Sequence, residues 1–506
     1  MKRIKTLLFL PILLLVAISV SSCSGPKPGT VCTTCTSGTG TVSLTMVADT
    51  LPANPSLLTF RVTITGIALV NSAGTQQALT LNSLPVVDLM RLQSDSLFLG
   101  TFANIPAGQY TGVIVSFSNP VITFLNDTAG TLQGCVSGAV CPQVALVASG
   151  TPQASLTFTV SSTTAAGIGI DLNLSNLLTI SGASLTVNFA TTNLLSAFTL
   201  PRTGTTLSAT QFDLIEDFTG VVSISNQAIT ITSASATGRG SLTASATANT
   251  ILNADPSGTL CNNPVGNVAN CVASNQAASM DAVLNSDGTL SIQEIEPLLA
   301  TLQDTVEGIV VANPNNGTQF TIIVTDLIPA AQNSLIGNLH IGDGLIVNLA
   351  ANPSFFVDTK GLTNLQGSLS NFAGQSDTSA IHLGQSVAVH VTTFTAATGI
   401  TLATAASSNT DTVTLRWSRF TSTPQAPSTP TFDIAGLPSY FNFAQGSLFT
   451  VQTTTGTPGT AGVTNFDGIP NTGSLNGDPV GIRALLLENT TNSANPAFFA
   501  AKVRQH

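Results

Sequence analysis

Charged residues are scarce in this sequence. Only 8% of its residues are Asp, Glu, Lys or Arg, whereas an average soluble protein has about 25%. The chain has 14 Lys and Arg against 24 Asp and Glu, a formal net charge of −10. Three of the basic residues fall within the first five positions, and the others form no basic patch. Because a chain of this kind cannot neutralise many phosphates, we expect no binding to nucleic acid.

Long apolar runs and catalytic motifs are also lacking. After residue 20, no apolar run approaches the roughly 18 residues of a membrane-spanning helix. Short apolar groups alternate instead with Thr, Gly and Pro, which favours many short β-strands over helices. The sequence has no HExxH, GxSxG or P-loop motif. We therefore predict an all-β protein with no catalytic residues, no cofactor and no enzyme activity.

The N-terminal segment has the pattern of an export signal. Lys2, Arg3 and Lys5 precede an apolar stretch, Thr6–Val20, which is short for a membrane span and suits a signal peptide. The next residues, Val-Ser-Ser-Cys ending at Cys23, resemble the bacterial lipobox. This resemblance implies cleavage before Cys23 and attachment of a diacylglyceryl group to its thiol. The alternative is an ordinary signal peptide followed by a chance cysteine.

The residues around this cysteine suggest where in the cell the mature chain is located. We predict a signal peptide over 1–22 and a flexible tether over 23–40, because the latter stretch is rich in Gly, Ser, Thr and Pro and cannot bury a core. Ser24, rather than Asp, follows the cysteine. By resemblance to the sorting rule of two-membrane bacteria, this favours the outer membrane, on its periplasmic or outer face.

Six further cysteines form three close pairs, which are Cys32 with Cys35, Cys135 with Cys141 and Cys261 with Cys271. Fifteen connectivities are possible in principle. Their closeness in an exported chain favours local disulfides. The first pair has CxxC spacing, which also occurs in redox and zinc sites. It lacks a nearby His and a second CxxC, so a small structural disulfide is the preferred interpretation.

Residues 41–200 have the pattern of a β-sandwich. In "TFRVTITGIALV", residues 59–70, apolar and polar residues alternate up to Gly66 and then change phase, which predicts a β-bulge there. A "VVDLMRL" segment at 86–92 and a "PAGQY" turn at 106–110 resemble a family of unknown function from bacterial surface lipoproteins. "MVADTLPANP" replaces the family's usual acidic opening turn. Transthyretin-like and carboxypeptidase-regulatory-like sandwiches share the turn before the strand. The resemblance implies an antiparallel sandwich.

A weak repeat follows the sandwich. "TGVVSISNQAITITSA" and "EGIVVANPNNGTQFTIIVTD" both read as a glycine, an apolar strand, a polar turn and a second strand, and Gly220 and Gly308 are 88 residues apart. This period predicts tandem small β-barrel or sandwich modules over 205–300, 303–406 and, without an opening glycine, 411–506. The repeats resemble an uncharacterised β-barrel family from bacterial exported proteins.

Two polar segments are candidates for metal binding. "NSDGTLSIQE", residues 285–294, has partial calcium-loop spacing, but its first ligand position would be Val283. An Asp-Gly hairpin turn explains this segment better. In residues 464–479 several oxygen-bearing side chains gather and are weak candidates for a hard cation, namely Asn465, Asp467, Asn471, Asn476 and Asp478.

Other chemically interesting side chains receive structural interpretations. His382 and His390 could share one strand face, and no cysteine accompanies them or His340. Glu216 and Asp217 are adjacent, so in a regular strand they would point to opposite faces and make a poor catalytic pair. Trp417 shares an apolar strand face and is expected in the core rather than on a sugar-stacking surface.

These features predict a lipid-anchored protein of the cell envelope with a structural or ligand- or partner-binding role. An envelope protein or a glycan could be its partner, besides the membrane that holds its lipid. One alternative is a carbohydrate-binding or adhesion lipoprotein, which would need exposed aromatic residues such as Trp417, Tyr110 or Tyr440. A second alternative is a hydrolase, which would need a cleft with two facing carboxylates.

Overall fold

The computed structural model describes residues 38–49, 55–81, 84–226, 228–234, 238–248, 250–254, 259–260, 272–298, 304–313, 317–330, 333–365, 367–398, 401–442, 447–456, 462–487 and 497–506. They belong to one compact unit, Gly38–His506. The predicted signal peptide, Cys23, Cys32, Cys35, Cys261 and Cys271 lie outside the described residues.

The fold is all-β, as predicted. Helical structure within the described ranges is confined to three-residue 3-10 turns, which are Arg91–Gln93, Leu174–Asn176, Thr363–Leu365, Leu369–Asn371, Thr378–Ala380, Leu402–Thr404, Ser439–Phe441 and Thr472–Ser474. Among the residues that the structure describes, no helix has the length and apolar character required to cross a membrane.

The N-terminal part is a two-sheet sandwich. Its strands are β1 (Thr39–Ala48), β2 (Ser56–Asn71), β3 (Gln76–Leu79), β4 (Val86–Asp88), β5 (Leu97–Pro106), β6 (Gly108–Leu125), β7 (Val140–Ala145), β8 (Ser149–Gly150), β9 (Gln153–Val160), β10 (Ala166–Leu172), β11 (Leu178–Ser181), β12 (Ser184–Val187) and β13 (Leu195–Thr199). One sheet has the order β13-β10-β1-β5, and the other contains β3-β2-β6-β7 with β4, β8 and β9 attached, while β11 and β12 form a separate antiparallel hairpin. The two sheets share one apolar core. The sandwich is not wholly antiparallel, because β1 and β10 run parallel.

The predicted bulge lies in the long β2–β6 pair. The register shifts between Ile64 and Gly66, so that Ile64 pairs with Phe117 and Gly66 pairs with Ser116. Ile64 and Ile67 are consequently both buried, while Thr65 between them is exposed. The extra residue keeps the apolar face of this strand on the core along its whole length.

Three barrels follow the sandwich. The first contains β14 (Gln211–Ser225), β15 (Ala228–Thr232), β16 (Ser241–Ser245), β17 (Ile251–Ala254), β18 (Thr259–Leu260), β19 (Ala277–Asn285) and β20 (Leu290–Pro297). The second contains β21 (Thr305–Ala312), β22 (Gln319–Ile328), β23 (Gly344–Val357), β24 (Ser386–Thr395) and β25 (Ala406–Arg416). The third contains β26 (Ser418–Ser428), β27 (Thr431–Ala435), β28 (Phe449–Thr453), β29 (Asn465–Asp467), β30 (Val480–Leu487) and β31 (Ala497–Gln505).

The barrels share one strand order. The rings are β14-β15-β16-β20-β19, β21-β22-β23-β25-β24 and β26-β27-β28-β31-β30. In each ring one pair of neighbouring strands runs parallel, namely β16 with β20, β23 with β25 and β28 with β31. The other neighbours in each ring run antiparallel. A single residue pair, Ser245 with Ser291, closes the first ring. The third barrel begins at Ser418 rather than near residue 411, because β25 completes the second barrel.

The two repeat glycines occupy equivalent positions. Gly220 precedes Val221, which pairs with Thr232, and Gly308 precedes Ile309, which pairs with Ile323. A Cβ atom on Gly220 would lie 2.2 Å from the Thr232 carbonyl oxygen, and one on Gly308 would lie 2.5 Å from the Ile323 carbonyl oxygen. Both glycines therefore allow the second strand of a barrel to approach the first closely.

We predict that Gly308→Ala lowers the free energy of unfolding by about 1–3 kcal/mol, because the backbone of β22 must move away from the added methyl group. Gly337→Ala is the matched control, since a Cβ there would meet nothing within 4 Å. It should be neutral or slightly stabilising. Urea unfolding of both variants measures the difference, and equal midpoints would contradict the packing argument.

Candidate functional site

A buried ion network lies where the sandwich and the three barrels meet. Of the ten Lys and Arg within the described ranges, seven join eight carboxylates through ion pairs to form this interior ion network. Its cations are Arg91, Arg239, Lys360, Arg416, Arg419, Arg483 and Lys502, and its anions are Asp95, Glu216, Asp217, Asp281, Glu296, Glu307, Asp326 and Asp358. None of these side chains is more than 12% exposed.

Every module contributes to the network. The sandwich supplies Arg91 and Asp95 from the 3-10 turn that follows β4. The carboxylates concentrate in the first and second barrels, whereas Arg419, Arg483 and Lys502 come from β26, β30 and β31 of the third. The third barrel therefore brings an excess of cations to a junction where the first and second barrels have an excess of carboxylates, and this complementarity favours one arrangement of the modules.

Asp217 lies at the centre of the network. Its Oδ2 is 2.6 Å from Arg419 Nη2 and 2.7 Å from Arg483 Nη2. Its Oδ1 is 3.1 Å from Lys360 Nζ and 3.7 Å from Arg416 Nη2. Burial alone would raise the pKa of Asp217, but these cations outweigh burial and hold the pKa well below its usual range.

A local irregularity of β14 places two adjacent carboxylates in the interior. The β14–β19 register shifts between Ile215 and Phe218, and Asp217 has a φ of 48°. Arg483 therefore reaches both Glu216, at 3.0 Å, and Asp217. The expectation that the two side chains point to opposite faces is wrong here, because strict alternation does not survive a bulge.

Trp417 packs beside the network and not on the surface. The side chain is fully buried, and its Nε1 donates a hydrogen bond to Asp358 Oδ2 at 2.7 Å. The Arg483 guanidinium lies 5.4 Å from the centre of its ring. Asp358 also pairs with Arg416. Tyr110 and Tyr440 are buried as well, so the three aromatic side chains considered for stacking on a sugar lie inside the protein.

A second group of carboxylates lies at the ends of β1 and β10. Burial is the main cause that raises the pKa of Asp171 to about 7, and the neighbouring Asp49 adds to it. Arg202 and Arg504 act in the opposite direction. Asp49 Oδ1 is also 3.3 Å from His506 Nδ1, and burial lowers the pKa of that imidazole.

The candidate cation ligands of residues 464–479 have protein partners. Asp467 Oδ2 is 2.6 Å from Arg504 Nε, and Arg504, Lys502 and Arg202 together overcome burial to lower the pKa of Asp467 to about 2. Asp478 accepts a hydrogen bond from Asn476 at 2.7 Å.

The remaining two candidates, Asn465 and Asn471, lie at the start of β29 and just before a 3-10 turn. Within the described ranges, no group of three or more His, Cys, Asp or Glu side chains is arranged to hold a metal ion.

The other candidates resolve as follows. Residues 285–289 form the turn of the β19–β20 hairpin, as their Asp-Gly pair predicts, with Gly288 at a φ of 84°. His390 lies in β24 with its Nδ1 2.7 Å from Asp411 Oδ1. His382 lies in the turn before this strand, so the two histidines do not share a strand face. Cys135 and Cys141 form the predicted local disulfide.

Sequence reasoning missed the interior ion network. Its basic residues stand inside apolar strand sequences, as in "TLRWSRF", "VGIRALLL" and "FFAAKVRQ". In a chain with so few charges, a charged residue within an apolar strand was the one sequence feature that could have indicated a buried ion pair. It did not reveal the partners, because these lie in other strands and loops, from 58 residues away for Arg416 with Asp358 to 324 for Arg419 with Asp95.

Comparisons with known proteins do not identify a relative that could explain this site. No protein-family model and no curated protein matches the sequence. Among solved structures, MbnP from Methylosinus trichosporium is similar over 29% of this chain and 83% of its own, with 12% sequence identity and a TM-score of 0.17. A likeness this low carries no argument about function.

We predict that Arg483→Met lowers the free energy of unfolding by about 3–5 kcal/mol, since it removes a cation from two buried carboxylates. Arg202→Met is the comparison, because Arg202 lies over the Phe198 ring and acts on Asp467 and Asp171 outside the interior ion network as the described residues define it. Its effect should stay below about 1 kcal/mol. Urea unfolding followed by circular dichroism measures both. Similar losses in the two variants would show that the network does not hold the modules together.

The pKa of Asp171 predicts a pH dependence of stability. A pKa raised to about 7 means that the folded chain binds this proton more tightly than the unfolded chain, whose Asp has a pKa of about 3.9. The stabilising contribution is complete below about pH 4 and is lost as pH rises through 7, at up to about 1.4 kcal/mol per pH unit. Asp171→Asn should therefore match the wild type near pH 4 and exceed its stability at pH 8. Parallel curves of unfolding free energy against pH would refute this.

Proposed function

We propose that this chain is a lipid-anchored protein of a bacterial cell envelope with a structural or partner-binding role and no catalytic one. The interior ion network carries the structural part of the proposal. It joins the sandwich and all three barrels, so the described chain behaves as one body rather than as separate modules on a string. Such a body suits a protein that holds a fixed shape outside the cytoplasm.

The cell-envelope location rests on two features of the chain. The sequence from Thr6 to Cys23 has the order of a lipoprotein signal, with an apolar stretch, small residues and a cysteine. The Cys135–Cys141 disulfide is of the kind that persists in oxidising compartments. Ser24 favours the outer membrane, by resemblance to the sorting rule.

The alternatives find less support in the geometry. Trp417, Tyr110 and Tyr440 are buried and offer no surface to a sugar ring, so glycan binding is not the preferred function. Glu216 and Asp217, the carboxylates considered for a hydrolase, both pair with Arg483 in the interior. Burial raises the pKa of Glu216, whereas the surrounding cations hold the pKa of Asp217 well below its usual range. Neither side chain is more than 4% exposed, so neither is open to a substrate.

Substitution of the lipobox cysteine tests the proposal. In cells that express Cys23→Ala, we expect an unprocessed precursor or a protein released from the membrane fraction, with no incorporation of a palmitate analogue. Cys32→Ala is the matched control, because it removes a cysteine nine residues further on and leaves the lipobox intact. This control should be labelled and should partition into detergent as the wild type does.

Processing and membrane partition of Cys23→Ala like those of the wild type would overturn the anchor. Labelling measured separately in outer- and inner-membrane fractions shows in which membrane the protein is anchored. If the labelled wild type is found in the inner membrane, the inference from Ser24 is wrong although the anchor stands.

A further inference from the structure

A cavity of about 290 Å³ lies at the junction between the sandwich and the second barrel. Its walls include Pro142 and Gln143 of β7, Leu339 and Asp343 from the segment before β23, and Phe394 and Ala397 at the end of β24. Its volume is near the lower end of the range for small-molecule sites, which often lie between domains. The space suits one ring with a short arm.

Specific hydrogen bonds build this junction. Gln143 Nε2 donates to the Ile341 carbonyl oxygen at 2.6 Å and to Asp343 Oδ1 at 3.0 Å. Thr123 Oγ1 donates to the Gly342 carbonyl oxygen at 2.9 Å. Gly342 has a φ of 90°, and a Cβ there would lie 2.6 Å from Thr123 Oγ1. The cavity therefore has walls from two modules, and these hydrogen bonds fix the position of one wall relative to the other.

Gln143 holds the wall at some conformational cost. Its φ is 54°, in the left-handed region that residues other than glycine rarely adopt. Its Oε1 accepts a hydrogen bond from the Arg61 guanidinium, so both ends of the side-chain amide are engaged. Strained residues persist where the surroundings over-determine them, commonly at ligand sites.

The polarity of the cavity selects a type of ligand. Asp343 is the one carboxylate among the described residues that line the cavity, and none of these residues is Lys or Arg. Its Oδ1 accepts from Gln143, and its Oδ2 accepts from the His340 backbone N–H at 2.7 Å. The His340 Nδ1 lies 3.6 Å from the same Oδ2, too far for a hydrogen bond, and the Asp343 side chain is 27% exposed. A carboxylate has about four acceptor sites, so capacity remains for a donor from a ligand.

We infer that this cavity binds a small organic amine, with its apolar body against Leu339 and Phe394 and its ammonium group at Asp343. An anionic ligand is disfavoured, because none of the described lining residues is Lys or Arg, and the guanidinium of Arg61, which interacts with Asp343 from behind Gln143, is already bonded to the Gln143 amide. The site is distinct from the interior ion network, whose carboxylates already have cations. Binding goes beyond the proposed function and does not depend on the lipid anchor.

Ligand-observed NMR on the purified full chain in detergent-containing buffer tests the inference with three probes of similar shape, benzylamine, benzyl alcohol and benzoate. We expect saturable millimolar binding of benzylamine, at least fivefold tighter than that of benzyl alcohol, and no binding of benzoate. Asp343→Asn keeps an acceptor for Gln143 and should reduce the affinity for benzylamine to that for benzyl alcohol.

Two further variants separate the cavity from the rest of the surface. Ala397 is exposed at the mouth, so Ala397→Phe should fill the cavity without disturbing the core and abolish binding of both probes. Thr401→Phe, also on an exposed lining residue, serves if the first variant fails to fold. Asp433→Asn, in the third barrel, is the matched control and should bind as the wild type does.

Absence of saturable benzylamine binding, equal affinity for the alcohol, or binding that survives Asp343→Asn and the filled cavity would each overturn the inference. Binding is scored on purified folded protein, with or without its lipid, and anchoring is scored by processing in cells. Failure of one proposal is therefore distinguishable from failure of the other.

Discussion

The burial of the Asp217 charge is the constraint on which the arrangement of the modules depends. Removing a carboxylate from water costs several kcal/mol unless cations accompany it. Of the four nearest cations, Lys360 and Arg416 come from the second barrel, and Arg419 and Arg483 come from the third. The first barrel consequently cannot keep this charge in its interior unless the other two barrels are in place.

Apolar packing crosses the same boundaries as the ion pairs. One core cluster joins the second barrel to Leu485 and Phe499 of the third, and another joins the third barrel to Leu58 of the sandwich. Apolar burial supplies most of the driving force for assembly, but it is not directional. The guanidinium groups add direction, since each presents several donors in a rigid plane.

The scarcity of charge and the location of the charges have one physical explanation. Seven of the ten described basic residues are used in the interior ion network, and Arg504 pairs with Asp467 beside it. The number of basic residues in this part of the chain therefore reflects the needs of the protein interior and not the partners that its outer surface binds.

Local sequence patterns were enough to predict the all-β class, the bulge at Gly66, the hairpin at Asp287 and Gly288, and the equivalence of Gly220 and Gly308. Each of these depends on neighbouring residues, through alternation, turn chemistry or the absence of a side chain. Three other features became visible only in the folded chain. These are the inward direction of both Glu216 and Asp217, the turn that separates His382 from His390, and the junction at Gly342. Those features depend on contacts between strands far apart in the chain, and one register shift reverses which face a side chain occupies. No local pattern contains that information, because a charge in an apolar strand states that a partner is needed but not which distant strand supplies it.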